Sequence, residues 1–216
     1  MLTIVIGVTG GIGGAIHSMY NEACYPVIGT SREKGHLFEL DVRDYDSCKE
    51  IAQGFRKQKL HVINCTGINR NGKVKNLSHD DWQDVIDTNL TGSYNLLKAF
   101  IPIMEETGYG RMMFLSSVVA RGLPGAGAYA ASKAGMEGLI KATALEVRGD
   151  ITVNALRLGY YPTGLIRDVS QDFLDTKVLP HTQGKFCSVG RLFGLIQGIF
   201  SCGDVNGSVI DVNRGL

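Results

Sequence analysis

The chain has 216 residues, 44% of them hydrophobic, with 22 Lys and Arg against 21 Asp and Glu and a formal net charge of +1. That length suits one α/β domain, residues 1–216, with a sizeable core, and the near-neutral balance argues against nucleic acid as a partner. No apolar run is long enough to span a bilayer, and Met1 to Ile6, without a basic leader, reads as a first strand rather than a signal peptide.

Strand-like and helix-like stretches alternate along the chain. Leu2 to Val8 is a continuous β-branched run, followed by helical spacing from Ile12 to Cys24. Val27 to Ser31 and Leu37 to Val42 read as strands two and three. Tyr45 to Lys57 is helical, Leu60 to Cys65 is a fourth strand, and one long amphipathic helix covers Trp82 to Met104. Arg111 to Ser117 is a fifth strand, Ala128 to Val147 a second long helix, and Ile151 to Leu156 a sixth strand. Leu192 to Phe200 is helical and Ser208 to Val212 closes the pattern as a seventh strand. Apolar strands separated by helices predict a doubly wound Rossmann fold, α/β in class, with a seven-stranded parallel sheet covered on both faces. Only Arg32 to His36 separate strands two and three, whereas a parallel crossover takes about a dozen residues and usually a helix. The expectation is a missing crossover helix there and an exposed strip of sheet.

The five cysteines (Cys24, Cys48, Cys65, Cys187, Cys202) form no CxxC pair and have no histidine cluster beside them. They imply a reduced, cytoplasmic chain without a metal site.

Gly7, Thr9, Gly10, Gly11, Ile12 and Gly13 lie in a turn between the first strand and the first helix. Glycines there let the backbone approach a pyrophosphate, which the N–H groups and dipole of the helix N-terminus favour. A tight turn that binds nothing is the plainer alternative. Ser31 and Arg32 end strand two, where a carboxylate would hold the ribose of NAD(H); a hydroxyl and a planar cation suit a phosphate and favour NADP(H). Asp41, with Val42 at the end of the next strand, either accepts from an adenine amino group or caps the helix that begins near Asp44.

Tyr129 and Lys133 are four residues apart and share one helix face. An ammonium there is expected to draw the phenol's pKa down toward neutrality, which suits proton exchange with a carbonyl oxygen or an alcohol. Ser116 and Ser117 precede the pair on a strand.

Taken in order, these residues resemble the short-chain dehydrogenase/reductase family over nearly the whole chain. Asn64-Cys65-Thr66-Gly67 resembles its Asn-Asn-Ala-Gly, and Asp87-Thr88-Asn89-Leu90 the segment of its catalytic asparagine. Ser117, Tyr129 and Lys133 resemble its catalytic serine, tyrosine and lysine, with Ser117 preferred over Ser116 because Val118-Val119 follows it. The segment from Val153 to Thr163 resembles the one ending in a cofactor-binding threonine. Within the family, Gly67-Ile68-Asn69-Arg70-Asn71 looks most like 3-oxoacyl-(acyl-carrier-protein) reductases.

The resemblance implies NADPH-dependent reduction of a ketone, either a 3-oxoacyl thioester or a small carbonyl compound. Tyr129 would be the general acid, Lys133 would lower its pKa and hold the nicotinamide ribose, Ser117 would bind the substrate oxygen, and Asn89 would position a relay water. Cys65, Thr66, Gly67 and Thr163 would join the glycine turn around the cofactor. It also implies a homodimer or homotetramer built on the two long helices. The stretch from Gly164 to Val189 is the expected substrate lid, with His181 as a surface residue. The glycine turn is shorter than the usual Thr-Gly-x-x-x-Gly-x-Gly, with Gly7, Gly10 and Gly13 fitting the Gly-x-x-Gly-x-x-Gly of extended members, and Glu105-Glu106 stand where a carrier-protein enzyme would be basic. A catalytically silent nucleotide-binding regulator or scaffold of the same fold is the alternative.

Overall fold

In the computed structural model, which describes every residue except Lys34, His36 and Leu37, the β-branched runs pair side by side and in one direction. The strands are β1 (Leu2–Ile6), β2 (Val27–Thr30), β3 (Leu60–Asn64), β4 (Tyr109–Ser117), β5 (Asp150–Leu158) and β6 (Val209–Val212). They form one parallel sheet in the order β2-β1-β3-β4-β5-β6. The helices are α1 (Gly11–Glu22), α2 (Tyr45–Gly54), α3 (His79–Ile86), α4 (Gly92–Thr107), α5 (Gly127–Glu146), the single turn α6 (Gln171–Phe173) and α7 (Val189–Phe200).

Successive strand residues face opposite sides of a sheet, and the core divides accordingly. Ile4, Ile6, Val62, Met112 and Phe114 pack under Cys48 and Ala52 of α2, Leu96 and Phe100 of α4, and Met136 and Ile140 of α5. Their neighbours Val5, Ile63, Met113 and Leu115 pack under Ile16 and Tyr20 of α1 and Leu192 and Ile196 of α7. The chain runs from β1 out to β2, then back to β3 on the far side of β1. The strand order therefore reverses between β1 and β3, and ligands of open α/β sheets bind outside the carboxyl ends at such a point.

The sheet has six strands among the described residues, not the expected seven. Leu37, at the start of the expected third strand, lies outside the described residues, as do Lys34 and His36 of the join before it. The remainder makes only an isolated bridge between Ser31 and Glu39, in which the Leu40 N–H donates to the Ser31 carbonyl at 2.9 Å. A partner strand of four residues at the sheet edge offers little ladder, and Asp44 turns the chain into α2 by accepting the Asp46 N–H at 2.9 Å. With that strand gone, α2 is itself the crossover from β2 to β3, and no helix precedes it among the described residues after β2. The strip expected to be bare is partly covered: Leu40 and Val42 are buried in the cluster with Ile4 and Ile6, and Ile28 packs against it.

The long helix expected from Trp82 to Met104 is interrupted. Between α3 and α4 the residues Asp87–Thr91 form a π-helical turn centred on Asn89. Such a turn widens the helix by one residue and is often found at functional sites.

Candidate active site

The glycine turn opens the site. Gly7 has φ +88°, in the region that favours glycine, and its carbonyl accepts the Gly10 N–H at 3.2 Å. A Cβ on Gly13 would run into that carbonyl, so α1 can start this close to β1 only with glycine there. Gly10 precedes α1 without a side-chain cap and no acidic residue lies in the first turn. The leading N–H groups of the helix, at Gly11, Ile12 and Gly13, have no intrahelical acceptor. Gly11 also faces Thr163 and Gly164, whose hydroxyl and N–H leave no room for a Cβ.

Two chambers meet on this turn and share Thr9, Gly10, Cys65, Thr66 and Gly67. The larger, of about 780 Å³, runs over Gly11, Ile12 and Gly13 to Ser117, Tyr129, Lys133 and Thr163 and out under Leu165 and Phe173. The smaller, of about 210 Å³, is bounded by Gly7, Ser31, Arg32, Asp41 and Val42. Every residue expected to meet cofactor thus lines one chamber or both. Asn89 lies behind the wall and is buried.

The wall is built from the end of β4 and the first turns of α5. Ser117 is the last residue of β4, and its Oγ accepts the Val119 N–H at 3.2 Å. Ser116 turns its hydroxyl to the other side and donates to Glu137 Oε1 at 2.6 Å. Tyr129 and Lys133 leave the same face of α5, with Lys133 Nζ 5.7 Å from the centre of the Tyr129 ring. Lys133 is only 3% exposed, and its ammonium donates to the Leu115 carbonyl at 2.7 Å. Asn89 uses its whole amide on protein: Oδ1 accepts the Ile68 N–H at 2.9 Å, and Nδ2 donates to the Ile68 carbonyl at 2.9 Å and to Ser132 Oγ at 3.0 Å. A Cβ on Gly67 would sit 3.3 Å from Lys133 Nζ and 3.6 Å from Asn89 Oδ1, so glycine keeps this corner open.

The electrostatics differ from the sequence expectation. Burial pushes the Tyr129 phenol up to about 12, the Ser117 hydroxyl works in the opposite direction, and burial prevails. Burial likewise pulls Lys133 down to about 8, against the upward pull of Cys65 and Glu137. Both groups are driven toward their neutral forms because desolvation penalises either charge. Asp41 is held below the usual carboxylate range chiefly by Arg43, whose Nε and Nη2 reach it at 3.0 and 2.6 Å, with Arg32 adding to the effect. Asp44 caps α2, not Asp41.

The family model of short chain dehydrogenases matches residues 2–173. The chain belongs to that family. It is an NAD(P)-dependent oxidoreductase. An acetoacetyl-CoA reductase of Paracoccus denitrificans is 32% identical over 199 residues, covering 83% of this chain and 81% of the relative. The 3-oxoacyl-(acyl-carrier-protein) reductase FabG of Pseudomonas aeruginosa is 30% identical over 238 residues, covering 100% of this chain and 96% of the relative. A nodulation protein G of Azospirillum brasilense is 28% identical over 239 residues, with 100% and 97% covered. The last two alignments are longer than the 216 residues of this dehydrogenase, so segments of those relatives have no counterpart in it.

The cleft fits the nicotinamide dinucleotide that membership implies. Bare backbone faces it at Gly11 and Gly13, a cation stands at Arg32, and the Thr88 hydroxyl beside the small chamber is buried without a partner among the described residues. Sequence reasoning missed Tyr160 and Tyr161, which line the large chamber, although two aromatics between a strand end and Thr163 were a visible signal. It also missed Arg43, two residues beyond Asp41, and Glu137, one helical turn beyond Lys133. Arg121 is committed to Asp211 at 2.7 Å and to the Leu216 carbonyl at 2.8 Å. His181 is exposed. Among the described residues no helix is long and apolar enough to cross a membrane, and no group of metal-binding side chains occurs.

Proposed function

We propose that this dehydrogenase reduces a ketone, a 3-oxoacyl thioester or a small carbonyl compound, to a secondary alcohol with NADPH as reductant. The observation that carries the reading is the convergence of Ser117, Tyr129 and Lys133 on one wall of a cleft that continues the glycine turn. The bound nicotinamide supplies the hydride. The free N–H groups of Gly11, Ile12 and Gly13 receive the pyrophosphate, with Gly7, Thr9 and Gly10 shaping the turn. Ser31 and Arg32 hold a ribose phosphate, Asp41 and Val42 border the base, and Cys65, Thr66, Gly67 and Thr163 enclose the middle of the molecule.

Ser117 Oγ–H donates to the substrate oxygen and stabilises charge developing there. Tyr129 Oη delivers the proton. A phenol near 12 carries its proton throughout the neutral range, which suits an acid and hence the reductive direction. Lys133 holds the ribose and supports the phenolate formed as the proton leaves. Asn89 keeps the Gly67–Ile68 loop and Ser132 in register beside them. The outer cleft, with Leu165, Ile166, Val169 and Phe173, gives an acyl chain apolar cover. Glu106 is paired with Arg56 at 3.1 Å, which reduces the acidity that Glu105-Glu106 would present to an acidic carrier. A cytoplasmic homo-oligomer completes the proposal.

The test is Tyr129→Phe assayed by ketone-dependent NADPH oxidation across ketones and acyl thioesters. Turnover is expected to fall by about 10²–10⁴-fold with NADPH binding nearly intact. Retained turnover would refute the assignment of the acid.

A further inference from the structure

Glu137 lies on α5 one turn beyond Lys133, on the same face. It is 7% exposed, and a carboxylate that deep persists only with charged or hydrogen-bonding partners. Arg157 of β5 supplies two contacts, Nε to Oε1 at 3.0 Å and Nη2 to Oε2 at 2.6 Å. Ser116 of β4 supplies the third, its hydroxyl donating to Oε1 at 2.6 Å. Behind them Arg157 Nη1 reaches Asp211 of β6 at 3.2 Å, and Asp211 takes Arg121. The carboxylate is thus locked in orientation from two strands.

Two adjacent residues of β4 are therefore strapped to α5 one turn apart. Lys133 takes the Leu115 carbonyl, and Glu137 takes the Ser116 hydroxyl. The next residue is Ser117. We infer that Glu137 is a positioning residue for the reduction proposed above, on which the inference rests: it holds the Ser116–Ser117 strand end against α5 and sets a carboxylate one helical turn from Lys133.

The groups facing Lys133 are Cys65 from the end of β3, Tyr129 and Glu137 from its own helix, and the Leu115 carbonyl. Cys65, buried and pushed up to about 12, stays a neutral thiol near neutral pH. Glu137 is then the one carboxylate among the groups that act on Lys133. Those facing Glu137 are Ser116, Arg157 and Lys133 itself.

Glu137→Gln keeps the shape and can still accept from Ser116, but it removes the charge. The alkaline limb of the pH profile of reduction is expected to move to lower pH, in step with the titration of the Lys133 13Cε resonance. Ser116→Ala removes the strap and keeps the charge. Its kcat is expected to fall about tenfold with little change in the KM for NADPH, because small misplacements of reacting groups cost rate steeply, and the alkaline limb is expected to stay in place. A merely structural ion pair would lower stability in both variants without separating the two effects. Wild-type kcat in Ser116→Ala, or an unmoved Lys133 titration in Glu137→Gln, would overturn the inference. Should Glu137→Gln fail to fold by circular dichroism, kcat in Ser116→Ala decides. If the wild-type protein turns over no carbonyl compound, the proposed function fails, and the Lys133 titration still judges the role of Glu137.

Discussion

Asn89→Ala offers a test of the site's construction that needs no substrate. The side chain makes three hydrogen bonds, two of them to the N–H and carbonyl of Ile68. Ser132 keeps a partner after the change, because its hydroxyl also donates to the Tyr129 carbonyl at 2.8 Å. Ile68 does not, and its two backbone groups are left without the amide that matched both. An orphaned buried group costs about 1–3 kcal/mol; Ile68 is only partly buried, so the lower end applies to each. Loss of the amide's volume at a position 1% exposed adds a small void. The expected total is about 3 kcal/mol, which for a domain of this size lowers Tm by roughly 6–12 °C. Urea unfolding followed by far-ultraviolet circular dichroism reads the first number and thermal melting the second. A variant within about 0.5 kcal/mol of wild type, the scatter of ordinary surface changes, would show that Asn89 does not hold the loop beside Lys133.

The remaining predictions concern charge and space. Lys133 has its folded pKa lowered to about 8 from 10.5, so its burial costs stability when it is charged, and the group's contribution improves as pH rises from about 8 toward 10.5. Activity moves the other way: reduction should decline as pH passes about 8 and the ammonium is lost, and Lys133→Met should abolish turnover while raising the urea midpoint. A midpoint lower than wild type would count against the desolvation reading. Arg32→Ala should reduce the preference for NADPH over NADH about tenfold in kcat/KM, the scale of one charged hydrogen bond; an unchanged ratio would remove Arg32 from phosphate recognition. Gly13→Ala should abolish NADPH binding in a fluorescence titration, because its Cβ meets the Gly7 carbonyl, whereas Gly138→Ala, with nothing within 4 Å, should bind normally and melt slightly higher. Equal binding by both would mean that the turn relaxes around the added methyl.

Local patterns were readable in the chain because they are written in spacing. Continuous apolar, β-branched runs marked the strands, glycines between β1 and α1 marked the turn, and the four-residue interval placed Tyr129 and Lys133 on one face of α5 whatever they pack against. The same locality misled at Phe38 to Val42, the described part of the expected third strand, where a strand-like run has too short an edge partner to extend a ladder and instead leaves Leu40 and Val42 in the core under α2 and α4. What needed the tertiary structure was every property set by residues far apart in sequence. Asn89 lies in a π turn and spends its amide on Ile68, 21 residues earlier. Ser117 was preferred to Ser116 on resemblance alone, and packing supplies the physical difference: Ser116 donates its hydroxyl to Glu137, whereas Ser117 Oγ accepts the Val119 N–H at the end of β4. The direction of the Tyr129 shift was also tertiary: helix spacing predicts an ammonium nearby, but the density of protein around the phenol decides whether that charge or desolvation prevails.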